Sequence, residues 1–400
     1  MGIKDFFKIV YDPNGRTYAG LSNEIDLKSY AGKRIAVDAM FMIYSSFLAM
    51  KDWKSLTDDD GNPTIHIKTA VAQIAIFRSF SIEMIWIFDN RKLTTGKEAE
   101  TEKRKLMKQK YNKPDQNQEI FEMKSQYIEE IMVLLEYCGI PYMEAPIDYE
   151  AEHIASILCQ GANAVCDAVL TRDSDVFAFG APVVITPERK ATRGGAGKTK
   201  KKVYCEYKLA DILNASAEEY NQSIYEMVKG IKSLDSENTE LLKLVDDMEP
   251  SSTESQNTVP VPVKSVPVKI TKTSKKTVKT TLVKKPRART PKKTVGPITL
   301  EDLQIIGVIL GNDFCDRTKG IGPGTVLWKY TDMKNSPKGV VLSDKQKFAL
   351  NIYKSTVPVD ELKKAFKNSD PDSDKFKTFL TRRKFNADNI TKLMKQIFSS

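Results

Sequence analysis

Seven carboxylates decide what chemistry this 400-residue chain can attempt. Asp38 and Asp89 each follow an apolar run at once, Arg34-Ile-Ala-Val37 and Met84-Ile-Trp-Ile-Phe88. Asp173 and Asp175 stand in Thr171-Arg-Asp-Ser-Asp175, just past a third apolar run ending near Leu170. Glu150 and Glu152 open a helix-like stretch that reaches Cys159, and Asp313 follows another in Leu310-Gly-Asn-Asp-Phe314. Open α/β sheets gather their active sites at the carboxyl ends of the strands, so acids this far apart in sequence can converge. Carboxylates crowded into one pocket cannot all stay ionised without counter-charge, and divalent cations supply it. All-oxygen ligation suits Mg²⁺ better than zinc, with Mn²⁺ as a substitute. Two such ions would clamp the attacking and leaving oxygens of a phosphodiester.

Each acid alone also has a plainer reading. An Asp at the end of a strand often only caps the next helix or forms a turn. Glu150 and Glu152, two apart, point to different sides of a regular helix and would need the first, irregular turn or water-bridged contacts to act together. Asp173 and Asp175 share a face if their segment is extended. Spacing alone leaves the metal site and the set of caps evenly balanced.

Composition narrows the classes. Apolar residues are 41% and charged residues 28%, enough for a sizeable core and too apolar for global disorder. The formal charge is +10, but twelve Lys and Arg and no acid lie between Val261 and Gly296, so a basic segment joins a nearly neutral body. Five cysteines without C-x-x-C spacing and only two histidines argue against a disulfide scaffold, a zinc finger and a His-centred zinc enzyme. No charged-then-apolar leader opens the sequence, and no run of about 18 apolar residues could cross a bilayer. A soluble protein of a reducing compartment, without a membrane partner, is expected.

The elements that must position these acids alternate strand and helix, which predicts a parallel sheet. Strands are predicted at 34–37, 84–88, 165–170 and 183–185. Helices are predicted at 40–50, over 120–137 ending before Gly139, from Glu150 to Cys159, and over 299–310. Residues 97–113 read as a highly charged helix in solvent, and 215–247 as helical. The tract 249–296, rich in Ser, Thr, Pro, Val and Lys, cannot bury enough surface to offset its ordering entropy and is expected to be disordered. The domain limits follow: 1–113, 114–247, a basic insert at 248–296, and a helical region at 297–400. Gly320-Ile-Gly-Pro-Gly324 could offer backbone N–H groups to a phosphate, or be an ordinary loop between helices. Gly194-Gly-Ala-Gly-Lys-Thr199 only superficially resembles a phosphate-binding loop, because Thr192 stands where the first glycine belongs and Lys200-Lys-Lys202 follows it. Tyr44 could stack on a base or lie in the core.

Taken in order, these motifs resemble the structure-specific 5′ nucleases of the flap endonuclease and xeroderma pigmentosum group G type. The resemblance runs through Met1-Gly-Ile3, Ala36-Val-Asp-Ala39, Trp86-Ile-Phe-Asp89, Gly139-Ile-Pro-Tyr142, Glu150-Ala-Glu152, Thr171-Arg-Asp-Ser-Asp175, Leu310-Gly-Asn-Asp-Phe-Cys315 and Gly320-Ile-Gly-Pro323. It covers about 1–213 and 297–330, with a weaker echo at 385–397. It implies an α/β fold of the PIN-like 5′ nuclease kind: a mixed, mostly parallel sheet flanked by helices, a helical arch and a helix–two-turn–helix. It also implies two Mg²⁺ ions on Asp38, Asp89, Glu150, Glu152, Asp173, Asp175 and Asp313. Tyr44 matches an aromatic near the scissile nucleotide, Lys51 a phosphate contact, and Gly2 a glycine near the active site. Gly320, Gly322 and Gly324 match the element that holds duplex backbone, often with K⁺.

There are departures from the pattern. The arch lysine falls on Thr94, leaving Lys92, Lys97, Lys103 or Arg104 to supply its charge. Two residues are added between Ala145-Pro146 and Glu152, and about eighty between Asn214 and Pro297. No clear sliding-clamp motif stands near the C-terminus. The implied activity is Mg²⁺-dependent cutting at junctions of duplex DNA with a 5′ single strand, such as a 5′ flap, in replication or repair, by a monomer. Relatives that act as 5′ exonucleases, bubble cutters or RNA nucleases keep those alternatives open. The run Lys284-Lys-Pro-Arg-Ala-Arg-Thr-Pro-Lys-Lys293 resembles a nuclear localisation signal, or is a nucleic-acid tether. A nuclear protein is expected, or a cytoplasmic one if the source is a virus that replicates there.

Overall fold

Short apolar runs flanked by helices do build a sheet. The computed structural model describes residues 2–11, 15–49, 56–90, 102, 123–191, 200–215 and 298–398. Seven strands form one sheet: β1 (Asn23–Ile25), β2 (Arg34–Asp38), β3 (Glu83–Phe88), β4 (Tyr142–Glu144), β5 (Ala168–Leu170), β6 (Val183–Ala191) and β7 (Lys200–Lys208). Their order is β1-β7-β6-β5-β2-β3-β4. The pairs β2–β3, β2–β5, β3–β4 and β5–β6 are parallel, and β6–β7 and β1–β7 antiparallel. The sheet is therefore mixed and mostly parallel.

Helices cover both faces, and the pleat divides the core between them. Ile35 and Val37 of β2 and Met84, Trp86 and Phe88 of β3 face one side. There they meet α1 (Ala39–Ala49), α2 (Ile65–Ser79) and α3 (Ser125–Tyr137). Ala36, Ile85 and Ile87 face the other, against α4 (Ala151–Leu158), α5 (Asp175–Ala178) and α6 (Leu300–Leu310). The central strands are apolar on both faces, as strands of a doubly covered parallel sheet must be. Beyond α6 come α7 (Val326–Lys334), α8 (Asp344–Lys354), α9 (Val359–Ala365), α10 (Ser373–Arg382) and α11 (Ala387–Phe398). α7 and α8 pack on α6, while α10 and α11 return to α3 and α2. Residues 1–220 and 294–400 fall in one compact unit.

The structure differs from the sequence reading at the sheet edge. β6 runs six residues past Ile185 and pairs with β7, from Val183 opposite Lys208 to Ala191 opposite Lys200. β7 opens on three lysines and offers only the short apolar run Val203-Tyr-Cys205, and it lies inside the sheet, between β6 and the edge strand β1. A strand, β7, and not a helix follows residues 192–199, which themselves lie outside the described residues, and a nucleotide-binding loop would lead into a helix. The predicted helix at 97–113 and the one at 215–247 lie outside the described residues, apart from Glu102 and Ala215, as does the tract 249–296. Among the described residues no helix is long and apolar enough to cross a membrane.

Candidate metal centre

Strand register brings the first acids together. β2 and β3 are parallel with Asp38 opposite Ile87, so Asp89 emerges just past the same edge of the sheet. On the other flank Val37 lies opposite Leu170, which sets Thr171 beside Asp38. Asp38 is 4% exposed. Its Oδ1 accepts the N–H of Phe41 at 2.9 Å, capping α1, and its Oδ2 accepts the Thr171 hydroxyl at 2.7 Å. The plainer reading and the functional one therefore hold together, since Asp38 is a helix cap and also part of a cluster. Asp89 Oδ1 accepts the N–H of Ala151 at 2.8 Å, which docks the N-terminus of α4 against it. Glu150 is the extended residue just ahead of α4 (φ −105°, ψ 157°), and Glu152 lies in its first turn; both are buried. Glu150 thus stands outside the regular helix that carries Glu152.

The segment 171–175 is not an extended strand, which corrects the expectation of a shared strand face. Asp175 begins α5, and its N–H donates to Asp173 Oδ1 at 3.1 Å, folding the two carboxylates toward each other. Carboxylate oxygens of Glu152, Asp173 and Asp175, all buried, lie within 4.8 Å of one another. Gly2 packs directly against them with φ +83°, and a Cβ there would sit 2.0 Å from Asp173 Oδ1. Only glycine fits that approach. The N-terminal segment is then tied down by Ser174 Oγ donating to the Ile3 carbonyl at 3.3 Å and the Lys4 N–H donating to the Gly311 carbonyl at 2.8 Å. Asp313, 9% exposed, follows on the same loop as Gly311.

Two side chains that the sequence did not single out complete the arrangement. The Tyr353 hydroxyl donates to Asp175 Oδ1 at 2.6 Å and accepts from Asn312 Nδ2 at 2.7 Å. Burial, then the adjacent Asp175, raises the Tyr353 phenol well above its usual range. Thr171 and Asn312 stood inside recognised motifs, but nothing in the sequence near Tyr353 marks it.

Burial is the largest influence on Asp38 and lifts its carboxyl well above the ordinary carboxylate range. The charges of Asp89 and Asp173 add to the rise, and the hydrogen bonds from Phe41 and Thr171 oppose it. Asp173 is thus shared between two groups, one with Asp38 and Asp89 and one with Glu152 and Asp175. Hard oxygen donors, buried and mutually repelling, fit a divalent cation of the Mg²⁺ class.

Neither histidine joins the carboxylates. His153 Nε2 meets the Ser355 carbonyl at 2.9 Å, its ring stacks on Phe179 at 4.0 Å, and burial lowers its pKa to about 4. His66 Nε2 pairs with Glu130 at 2.6 Å. All five cysteines are buried and outside disulfides. Tyr44 lies half-buried on α1, after Asp38. Lys51, Lys92, Lys97, Lys103 and Arg104 lie outside the described residues.

The glycine turn between α6 and α7 holds one position whose backbone requires glycine. Only Gly320 has positive φ, +79°; at Gly322 and Gly324 φ is not positive, and a Cβ on any of the three meets nothing within 4 Å. Backbone strain therefore calls for glycine at Gly320 alone. The Gly322 N–H donates to Thr325 Oγ1 at 3.2 Å, and Lys329 Nζ reaches the Gly320 carbonyl at 2.6 Å.

Comparison with known proteins agrees with this geometry. Residues 1–111 match the XPG N-terminal domain and 139–245 the XPG I-region. Flap endonuclease 1 of Trypanosoma cruzi (strain CL Brener) is 31% identical over 231 residues, 53% of this chain and 55% of that protein. The chain thus spans about half the length of the curated relatives it matches. Among solved structures, the flap endonuclease-1 of Methanococcus jannaschii superposes with a TM-score of 0.55 at 17% identity, covering 100% of this chain and 98% of that one. The catalytic core of Rad2 in complex with DNA substrate also gives 0.55 at 17% identity, covering 99% and 100%. The two matched domains take in more than half of the sequence and hold six of the seven carboxylates, and the chain belongs to the flap endonuclease and XPG-type family of 5′ nucleases.

Proposed function

We propose that the protein is a divalent-metal-dependent, structure-specific nuclease that hydrolyses phosphodiester bonds where duplex DNA meets a 5′ single strand. The observation that carries this reading is the gathering of acids, most of them buried, from β2, the end of β3, α4 and the 171–175 loop at one edge of the sheet, in a chain of this family. Asp38, Asp89, Glu150, Glu152, Asp173, Asp175 and Asp313 would hold two Mg²⁺ ions, with Mn²⁺ able to replace them. When bound, such ions make water a stronger nucleophile and stabilise the charge on the leaving oxygen.

The chain's own residues set up that chemistry. The hydroxyl of Thr171 and the N–H groups of Phe41 and Ala151 fix the Asp38 and Asp89 carboxylates before a substrate arrives. Gly2 leaves space beside Asp173 that a side chain would fill. Tyr44, on the helix that Asp38 caps, would stack on the nucleotide at the cut. Lys51 and one or more of Lys92, Lys97, Lys103 and Arg104 would steady the phosphate. The turn at Gly320, Gly322 and Gly324 would hold duplex backbone, with K⁺ as its cation. A role in replication or repair by a monomer, without a sliding clamp, belongs to the same reading, as does nuclear entry through the basic run 284–293.

The test is cleavage of end-labelled 5′-flap, nicked, bubble and RNA substrates by the full chain, with Mg²⁺ and with EDTA. Mg²⁺-dependent cuts at the flap junction are expected. Preference for nicked ends, bubbles or RNA would move the assignment to a 5′ exonuclease, a bubble cutter or an RNA nuclease. Absence of any metal-dependent cleavage would overturn the reading.

A further inference from the structure

The Asp175 carboxylate is fixed from a part of the chain outside both matched domains. α8 carries Tyr353, 3% exposed, whose hydroxyl stands between Asp175 Oδ1 at 2.6 Å and Asn312 Nδ2 at 2.7 Å. The polarity of this chain of hydrogen bonds follows from the asparagine. Its Oδ1 accepts the backbone N–H groups of Phe314 and Cys315, both at 3.0 Å, so the amide atom facing Tyr353 is the nitrogen, which can only donate. The phenol oxygen therefore accepts from Asn312, and its single proton is left for Asp175. The ring is itself held, edge-on against Phe179 at 5.1 Å, and the Tyr353 carbonyl accepts from Gln304 Nε2 at 3.3 Å.

We propose that Asn312 and Tyr353 form a positioning relay for the metal centre, holding the Asp175 carboxylate in one orientation and locking the Asp313 loop to the loop of Asp173 and Asp175. The relay rests on the reading of these carboxylates as a metal site. With Oδ1 committed to the phenol, the carboxylate loses rotational freedom during folding rather than on binding a cation, and this preorganisation raises affinity. Asn312 immediately precedes Asp313, so the amide that orients the phenol also fixes the start of the loop bearing the last acid. Two parts of the site, far apart in sequence, are set against each other by one phenol.

The test is Mn²⁺ binding to the full chain without DNA, by titration calorimetry, beside thermal unfolding in EDTA. Tyr353→Phe keeps the ring and removes only the hydroxyl. Loss of an outer partner of a metal ligand costs about 10- to 100-fold in affinity, so Mn²⁺ should bind at least about tenfold more weakly. A residue that only filled space would change unfolding and leave Mn²⁺ affinity alone. Unchanged Mn²⁺ affinity in folded Tyr353→Phe overturns the relay. Asn312→Ala lets the phenol turn its proton elsewhere and should give a smaller loss. If Tyr353→Phe does not fold, unchanged Mn²⁺ affinity in Asn312→Ala overturns the relay instead. Asp175→Ala separates the two ideas. If it binds Mn²⁺ as tightly as the wild type, the metal-centre reading falls and the relay with it. If it loses Mn²⁺ while Tyr353→Phe keeps it, the relay alone falls.

Discussion

Two sets of acids in this protein meet opposite fates. At the metal centre, the groups that reach Asp38 and Asp89 among the described residues are neutral: two backbone N–H groups and the Thr171 hydroxyl. Beside α2 and α3, Arg383 bridges Glu130 at 2.7 Å and Asp58, while His66 takes the other Glu130 oxygen and Lys384 pairs with Asp59 at 2.8 Å. Titration follows the partner. Burial and neighbouring acids drive Asp38 up. Burial would also raise Asp58, but hydrogen bonds from Asn62 and then Arg383 outweigh it and hold that carboxyl low. Burial by itself therefore does not mark a functional acid. Asp58 and Glu130 have their charge met by a protein cation, whereas Asp38, held among the described residues by neutral donors and raised by its acidic neighbours, is suited to a cation from solution.

Mutation should split the two sets. Asp89→Ala and Asp175→Ala are expected to lower cleavage by more than the ~100-fold that loss of an outer partner costs a metal site. Stability should hold or rise, because each change relieves repulsion among buried acids. Cleavage within about tenfold of wild type for both would make the centre resemble the ion-paired set. Arg383→Met should do the reverse. It strands two buried acids and should cost about 3–5 kcal/mol in denaturant unfolding, with Mn²⁺ affinity unchanged. A change in Mn²⁺ affinity would show that the sets are coupled.

Asp302 offers the smallest and finest test. Burial would raise it, yet Lys334, the Thr299 N–H and the Tyr330 hydroxyl together hold its pKa at about 2. A folded value below the unfolded ~3.9 gives stability that is complete above about pH 5 and lost as pH falls toward 2. Lys334 is 53% exposed, so solvent screening should trim the contribution to about 1 kcal/mol. Asp302→Asn should flatten that limb of the stability–pH curve. An unchanged acid limb would mean that the ion pair adds nothing to folding.

Much of this contrast was legible in the chain. Asp38, Asp89 and the 173/175 pair could be picked out because each follows an apolar run, and in a parallel sheet every such run ends at the same edge. Glu130 and Asp58 were equally acidic but sat in amphipathic or turn-like surroundings, where an exposed position was the default. β1 escaped notice because a three-residue edge strand carries no apolar run, and β7 because its buried Val203, Tyr204 and Cys205 follow three lysines and give only a short apolar signal. The glycine turn was legible as a motif, but only the structure shows that Gly320 alone of its three glycines takes a positive φ.

By itself the sequence determined which residues could carry charge to the sheet edge, because strand periodicity and the order of motifs are local properties. Tertiary structure alone decided which acids meet Arg383 and which gather with other acids. Arg383 and Tyr353 come from α10–α11 and α8, far along the chain from the acids they touch. Their effect depends on contacts a few ångströms long that no local pattern encodes, since electrostatic and hydrogen-bond energies follow distance in space and not separation in sequence.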